Sequence, residues 1–138
     1  MRAQVRAAGL EDEIVLDSAG TGDWHVGNPP DPRSVAAGAR RGLDLSGAAR
    51  QVRAGDFDDF DLVLASDAAV ARDLLRLART EADRSKVRLL REFDPASAGS
   101  ADLDVPDPYF GAGDGFERVI DLVDAACAGL LAELRATR

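Results

Sequence analysis

DLVLASDAAVARDLLRLARTEADRSKVRLL, residues 61–90, carries two kinds of hydrophobic spacing in succession. Leu62-Val63-Leu64-Ala65 is a short unbroken apolar run, the pattern of a strand buried on both faces. Asp67 follows as an N-cap, its carboxylate placed for the free amides of a first helical turn. Leu74, Leu75 and Leu77 give the ensuing helix an apolar face. Lys86-Val87-Arg88-Leu89-Leu90 then resumes the sheet, with Phe93-Asp94-Pro95 at its end. Strand, helix, strand is the unit of a parallel sheet, so the chain is expected to be an α/β layer fold.

Upstream, Ile14-Val15-Leu16 reads as another buried strand, left by the turn Asp17-Ser18-Ala19-Gly20-Thr21-Gly22. Asp31-Pro32, an N-cap before a proline at the first helical position, announces a helix that runs to Arg41 and stops at Gly42. Met1, Val5 and Ala8 share one face of an opening helix that Gly9 ends. No cap and no strand stand ahead of it, which makes a chain that begins partway into its fold the expectation. Downstream, Phe116, Val119, Ile120, Val123, Cys127, Leu130, Leu131 and Leu134 recur at steps of three, four and seven, one stripe along a long final helix. Cys127 lies on that stripe and reads as a core residue.

At 138 residues the chain has the length of a single domain, spanning 1–138. With 46% hydrophobic and 30% charged residues it has the composition of a globular protein. No apolar run approaches the roughly 18 residues of a membrane span, and a cytoplasmic location is expected. A single cysteine leaves no internal disulfide and no cysteine cluster for a metal. No paired aspartates stand before a helix to suggest a divalent cation, so no cofactor is expected. The net charge of −8 opposes nucleic acid and anionic membranes as partners.

Function in a parallel sheet gathers where the strands end. Those ends are Asp17-Ser18, Ser66-Asp67, Phe93-Asp94 and the loop Val105-Pro106-Asp107-Pro108-Tyr109-Phe110-Gly111. Carboxylates are plentiful among them, and no cation is evident. Two prolines stiffen the backbone on either side of Asp107. Such a loop serves either as a turn into the last helix or as the mount of a general acid beside two aromatic rings.

Asp17-Ser18-Ala19-Gly20-Thr21-Gly22-Asp23-Trp24-His25-Val26-Gly27, Pro30-Asp31-Pro32-Arg33, Ala49-Arg50-Gln51 and Asp107-Pro108-Tyr109 together resemble the low-molecular-weight protein tyrosine phosphatases in order and spacing. The resemblance extends over essentially the whole chain. It implies a three-layer α/β fold around a parallel sheet and the hydrolysis of a phosphotyrosine protein or a small aryl phosphate through a cysteinyl-phosphate intermediate. It also implies Asp107 as general acid, Trp24 and Tyr109 as walls of the aryl slot, and Ser18 as support for the phosphate-binding loop.

The family's first strand and its Cys-x5-Arg loop are not in this sequence. Cys127 is no substitute, since the residue six positions on is Glu133. The sheet is therefore expected to lack its first central strand, with Ile14-Val15-Leu16 unpaired to Leu62-Val63-Leu64-Ala65, and the chain alone is expected to be inactive. Two alternatives stand beside this reading. One is a non-catalytic phosphatase-like binding module; the other is a relative of the arsenate reductases, which use additional resolving cysteines.

Overall fold

The computed structural model describes residues 1–22, 27, 32–43, 50–97, 100, 102–106 and 115–137. Its longest described element is the C-terminal helix, Gly115–Ala136, here α6. The apolar stripe buries as its spacing predicts: Cys127, Leu130 and Leu131 are inside, and Phe116, Val119, Ile120, Val123 and Leu134 are half-buried. Three pieces pack on this helix: α1 (Arg2–Ala7), α2 (Pro32–Arg40) and a 3-10 turn at Leu90–Phe93.

Polar contacts set where the first two of these sit on the helix. The Gln4 amide donates to the main-chain oxygen of Asp124 at 3.0 Å and to its carboxylate at 2.7 Å. Arg40 donates to Glu117 at 2.8 Å, and Arg41 pairs with Asp121.

Both short helices end in the same way, and in each the glycine is required. Gly9 and Gly42 hold φ of 71° and 72°, the left-handed region that a side chain disfavours. Leu10 N then reaches back to Val5 O at 3.0 Å, and Leu43 N to Gly38 O at 2.8 Å. Gly9 N and Gly42 N close the inner bonds to Arg6 O and Ala39 O, which completes a Schellman turn at each site. At α1 the accompanying apolar contact is itself the core, because Val5, Leu10 and Leu131 form one buried cluster.

Among the described residues the sheet has two strands, β1 (Val63–Ala65) and β2 (Val87–Leu89), paired parallel with Val63 opposite Val87 and Ala65 opposite Leu89. The connection predicted as one helix is two, α4 (Ala68–Leu77) and α5 (Glu81–Lys86). Ala78 is extended between them, and Thr80 caps the second by accepting from Asp83 N at 3.0 Å. The Asp83 carboxylate in turn accepts from Arg79 N at 3.1 Å. Of the three leucines assigned to the buried face of α4, Leu74 is buried and Leu75 is exposed.

The segment 14–16 departs from its expectation as a buried strand. It lies in no ladder, and Val15 is 78% exposed. Ile14 and Leu16, on the other side of the chain, pack against the Val5–Leu10–Leu131 cluster. Period-two geometry sends alternate side chains opposite ways, and only one side has a neighbouring layer here. Among the described residues no backbone hydrogen bond joins 14–16 to β1.

At Gly129 helix α6 runs close against the turn after β2. A Cβ built there would overlap the main-chain carbonyl of Phe93 and touch Pro95. The obstacle is backbone, which cannot rotate aside as a side-chain tip can. We expect Gly129→Ala to destabilise the protein by about 1–3 kcal/mol in chemical denaturation, although alanine is the better helix former by about 1 kcal/mol.

Candidate active site

Ser18, the predicted support residue, lies on an exposed stretch just before the chain turns to meet Gln51. Gly20 and Gln51 form an isolated parallel bridge: Gly20 N donates to Arg50 O at 2.8 Å, and Val52 N donates to Gly20 O at 2.8 Å. Arg50 is thereby fixed beside the Asp17-Ser18 corner. Its Nε donates to Asp17 Oδ2 at 3.1 Å, while Asp17 Oδ1 accepts from Ser18 N at 2.8 Å.

The other edge of the Arg50 guanidinium forks onto Asp56, Nη1 to Oδ2 at 3.0 Å and Nη2 to Oδ1 at 3.2 Å. Asp56 is only 5% exposed, at the start of α3 (Asp56–Asp59), and it also accepts from Arg53 N at 2.8 Å. The hydrogen bonds from Arg50 hold its carboxyl below the ordinary carboxylate range against the opposing effect of burial, and the Arg53 amide adds to them. A buried carboxylate so paired is satisfied, and a planar fork is the geometry that arginine supplies and lysine does not.

A second group of contacts gathers where β1 gives way to α4. Asp67 caps that helix through Val70 N at 2.8 Å, as predicted. Ala68 N, one of the free first-turn amides, instead finds Asp104 Oδ1 at 2.9 Å. The next residue along, Val105, donates its amide to Ser66 O at 2.7 Å. Arg91, at the far end of β2, donates from Nη1 to Asp104 O at 2.7 Å and from Nη2 to Ser97 Oγ at 3.5 Å, while its Nε is buried without a partner among the described residues.

The expectation that no cation stands among these carboxylates is corrected at two places. Arg50 stands against Asp17, and Arg91 holds the main chain at Asp104. The sequence places these partners 33 and 13 residues apart, beyond the reach of any local pattern. Ala49-Arg50-Gln51 was recognisable as part of a family signature, but nothing in it announced the carboxylates it would hold. Asp107, Trp24 and Tyr109 lie outside the described residues. Cys127 is 4% exposed on α6, and burial pushes its thiol up, the opposite of what a nucleophilic thiolate needs. Among the described residues no group of histidine, cysteine, aspartate or glutamate is placed to hold a metal ion, and no helix is long and apolar enough to cross a membrane.

A parallel β-α-β core with Asp104 and Val105 held where β1 gives way to α4 defines an α/β protein with its candidate site at the carboxyl edge of the sheet. Across residues 1–138 the sequence matches the family model described as low molecular weight phosphotyrosine protein phosphatase, and the chain belongs to that family. It is 54% identical over 134 residues to a low molecular weight protein-tyrosine-phosphatase of Streptomyces coelicolor, an alignment that covers 97% of this chain and 81% of that one. Among solved structures it is similar to a protein tyrosine phosphatase from Entamoeba histolytica with Hepes in the active site, at a TM-score of 0.90 and 31% identity over 99% of this chain and 85% of the other. It is also similar to YfkJ from Bacillus subtilis, at a TM-score of 0.87 and 36% identity over 99% and 83% of the two chains.

The Arg50–Asp56 pair carries a pH signature. Asp56 titrates below its unfolded value of about 3.9, so its contribution to stability is complete above that value and is lost as pH falls through the carboxylate range and below. Asp56→Asn is expected to flatten that acid limb in a series of melts from pH 7 to pH 3. Asp56→Ala, which strands the guanidinium and the Arg53 amide, is expected to cost about 1–3 kcal/mol at pH 7.

Proposed function

We propose that the chain, as one domain over residues 1–138, carries the acid and substrate-slot part of a protein tyrosine phosphatase acting on phosphotyrosine or small aryl phosphates. Family membership supports the class of reaction. The observation that carries the assignment to this site is the anchoring of Asp104 and Val105 at the junction of β1 and α4, because the chain runs from there through Pro106 directly to Asp107.

In this reading a cysteine thiolate attacks phosphorus and the aryl oxygen departs with the electron pair of the P–O bond. Asp107 delivers its proton to that oxygen, and the resulting carboxylate takes a proton from the water that opens the cysteinyl phosphate. Trp24 and Tyr109 pack on the ring, and Ser18 steadies the phosphate-binding loop. The thiolate and the arginine that cradles the phosphate belong to a Cys-x5-Arg segment that residues 1–138 do not contain; Cys127 is buried in the core of α6 and takes no part.

Residues 1–138 alone are therefore expected to hydrolyse no aryl phosphate above background, and vanadate-sensitive turnover by the isolated chain would overturn the assignment of the nucleophile elsewhere. In the protein joined to its Cys-x5-Arg segment, Asp107→Asn is expected to lower kcat/KM by about 10²–10⁴ for substrates with basic leaving groups. The loss should shrink as the phenol becomes more acidic, since an acidic phenol leaves without a proton. Parallel plots of log kcat/KM against leaving-group pKa for the two proteins would remove Asp107 from the role of acid.

A further inference from the structure

Asp104 lies three positions ahead of Asp107 and no part of the chemistry above uses it. Every polar group of its backbone and one of its carboxylate oxygens is nevertheless engaged. Its amide donates to Asp102 Oδ1 at 3.0 Å, its carbonyl accepts from Arg91 Nη1 at 2.7 Å, and its Oδ1 accepts from Ala68 N at 2.9 Å. Val105 continues the attachment through its bond to Ser66 O at 2.7 Å. Two consecutive residues are thus tied to the end of β1, the first turn of α4 and the turn after β2.

Stability gives little reason for this arrangement. Asp104 is exposed, so its carboxylate neither fills a core nor needs rescue from burial. Helix α4 already has its cap in Asp67, so an exposed second carboxylate on the same first turn adds only a small further stabilisation. What the extra bond does is fix direction. With Pro106 next, a residue whose ring locks φ and which offers no amide, the chain leaves Val105 with few torsional choices.

We infer that Asp104 is a positioning residue for proton delivery: by docking on the Ala68 amide it sets the point and direction from which the loop bearing Asp107 departs. The inference builds on the assignment of Asp107 as the acid. A proton donor is sensitive to such placement, because displacement of a catalytic group by about 1 Å from a remote change can cost on the order of 10²-fold in rate.

The test uses the phosphatase carrying its Cys-x5-Arg segment, in four forms: unchanged, Asp104→Ala, Asp104→Asn and Asp107→Asn. For Asp104→Ala we expect kcat/KM to fall by about ten-fold or more for phenyl phosphate and by less than about three-fold for 2,4-dinitrophenyl phosphate, with the leaving-group slope moving toward that of Asp107→Asn. Asp104→Asn keeps a side-chain carbonyl for the Ala68 amide and should stay within about two-fold of the unchanged enzyme on both substrates. Amide exchange at Ala68 and Val105, measured on the same proteins, should quicken in Asp104→Ala and not in Asp104→Asn. A residue with only a structural role would alter the melting temperature and leave the slope alone; that result, or unaltered exchange at both amides in Asp104→Ala, overturns the inference while leaving Asp107 in place. If Asp107→Asn itself shares the slope of the unchanged enzyme, or if the joined protein is inactive, the assignment of the acid fails and takes the positioning role with it.

Discussion

Helix α6 lies directly against the turn that follows β2 because residue 129 has no side chain, and the carbonyl of Phe93 occupies the space a Cβ would need. The same helix receives α1 through Gln4 and the Val5–Leu10–Leu131 cluster, and α2 through Arg40 and Arg41. Its distance from the sheet therefore fixes the distance of everything else that packs on it. The turn it presses upon, Leu90–Phe93, also supplies Arg91. A core contact and a strand-end contact thus share one short piece of backbone, so a displacement of α6 reaches the Asp104 junction through only a few bonds.

The strand-end loops are held by arginine for a reason that the net charge of −8 makes plain. Aspartates crowd this edge, and each unpaired one would repel its neighbours and any phosphate approaching them. Arg50 answers both Asp17 and Asp56, the latter buried and gripped at both oxygens. Arg91 works differently, by holding a main-chain carbonyl and leaving the Asp104 carboxylate for a helix amide. One arginine neutralises charge and the other organises backbone, and both bring together segments far apart in sequence.

The sequence revealed most where the physics is local. The stripe of α6, the glycine stops of α1 and α2, the Asp67 cap and the strands around Val63 and Val87 follow from spacing and backbone preference within a few residues. The division of the 66–86 connection into two helices was also written locally, in Thr80 and Asp83, but three leucines upstream suggested a single continuous face. The segment 14–16 was read as apolar throughout; which side of it would meet a neighbouring layer is a tertiary fact that no period shows. At the site the limit is sharper. Arg50 with Asp56, and Arg91 with Asp104, are pairings made only by folding.

Val15 has a bearing on the chain's behaviour in a crowded solution. An extended apolar segment with no ladder partner among the described residues is a template onto which a second copy of the same segment can add. Here Glu11, Asp12 and Glu13 stand immediately before it and Asp17 immediately after, all of them exposed. Stacking two copies in register would bring these carboxylates near their own copies at the strand spacing of about 4.8 Å, a penalty that salt screens and that the Arg6–Glu11 and Arg50–Asp17 pairs reduce. The acidic flanks are placed as gatekeepers for Val15, so any self-association through it is expected to rise with ionic strength.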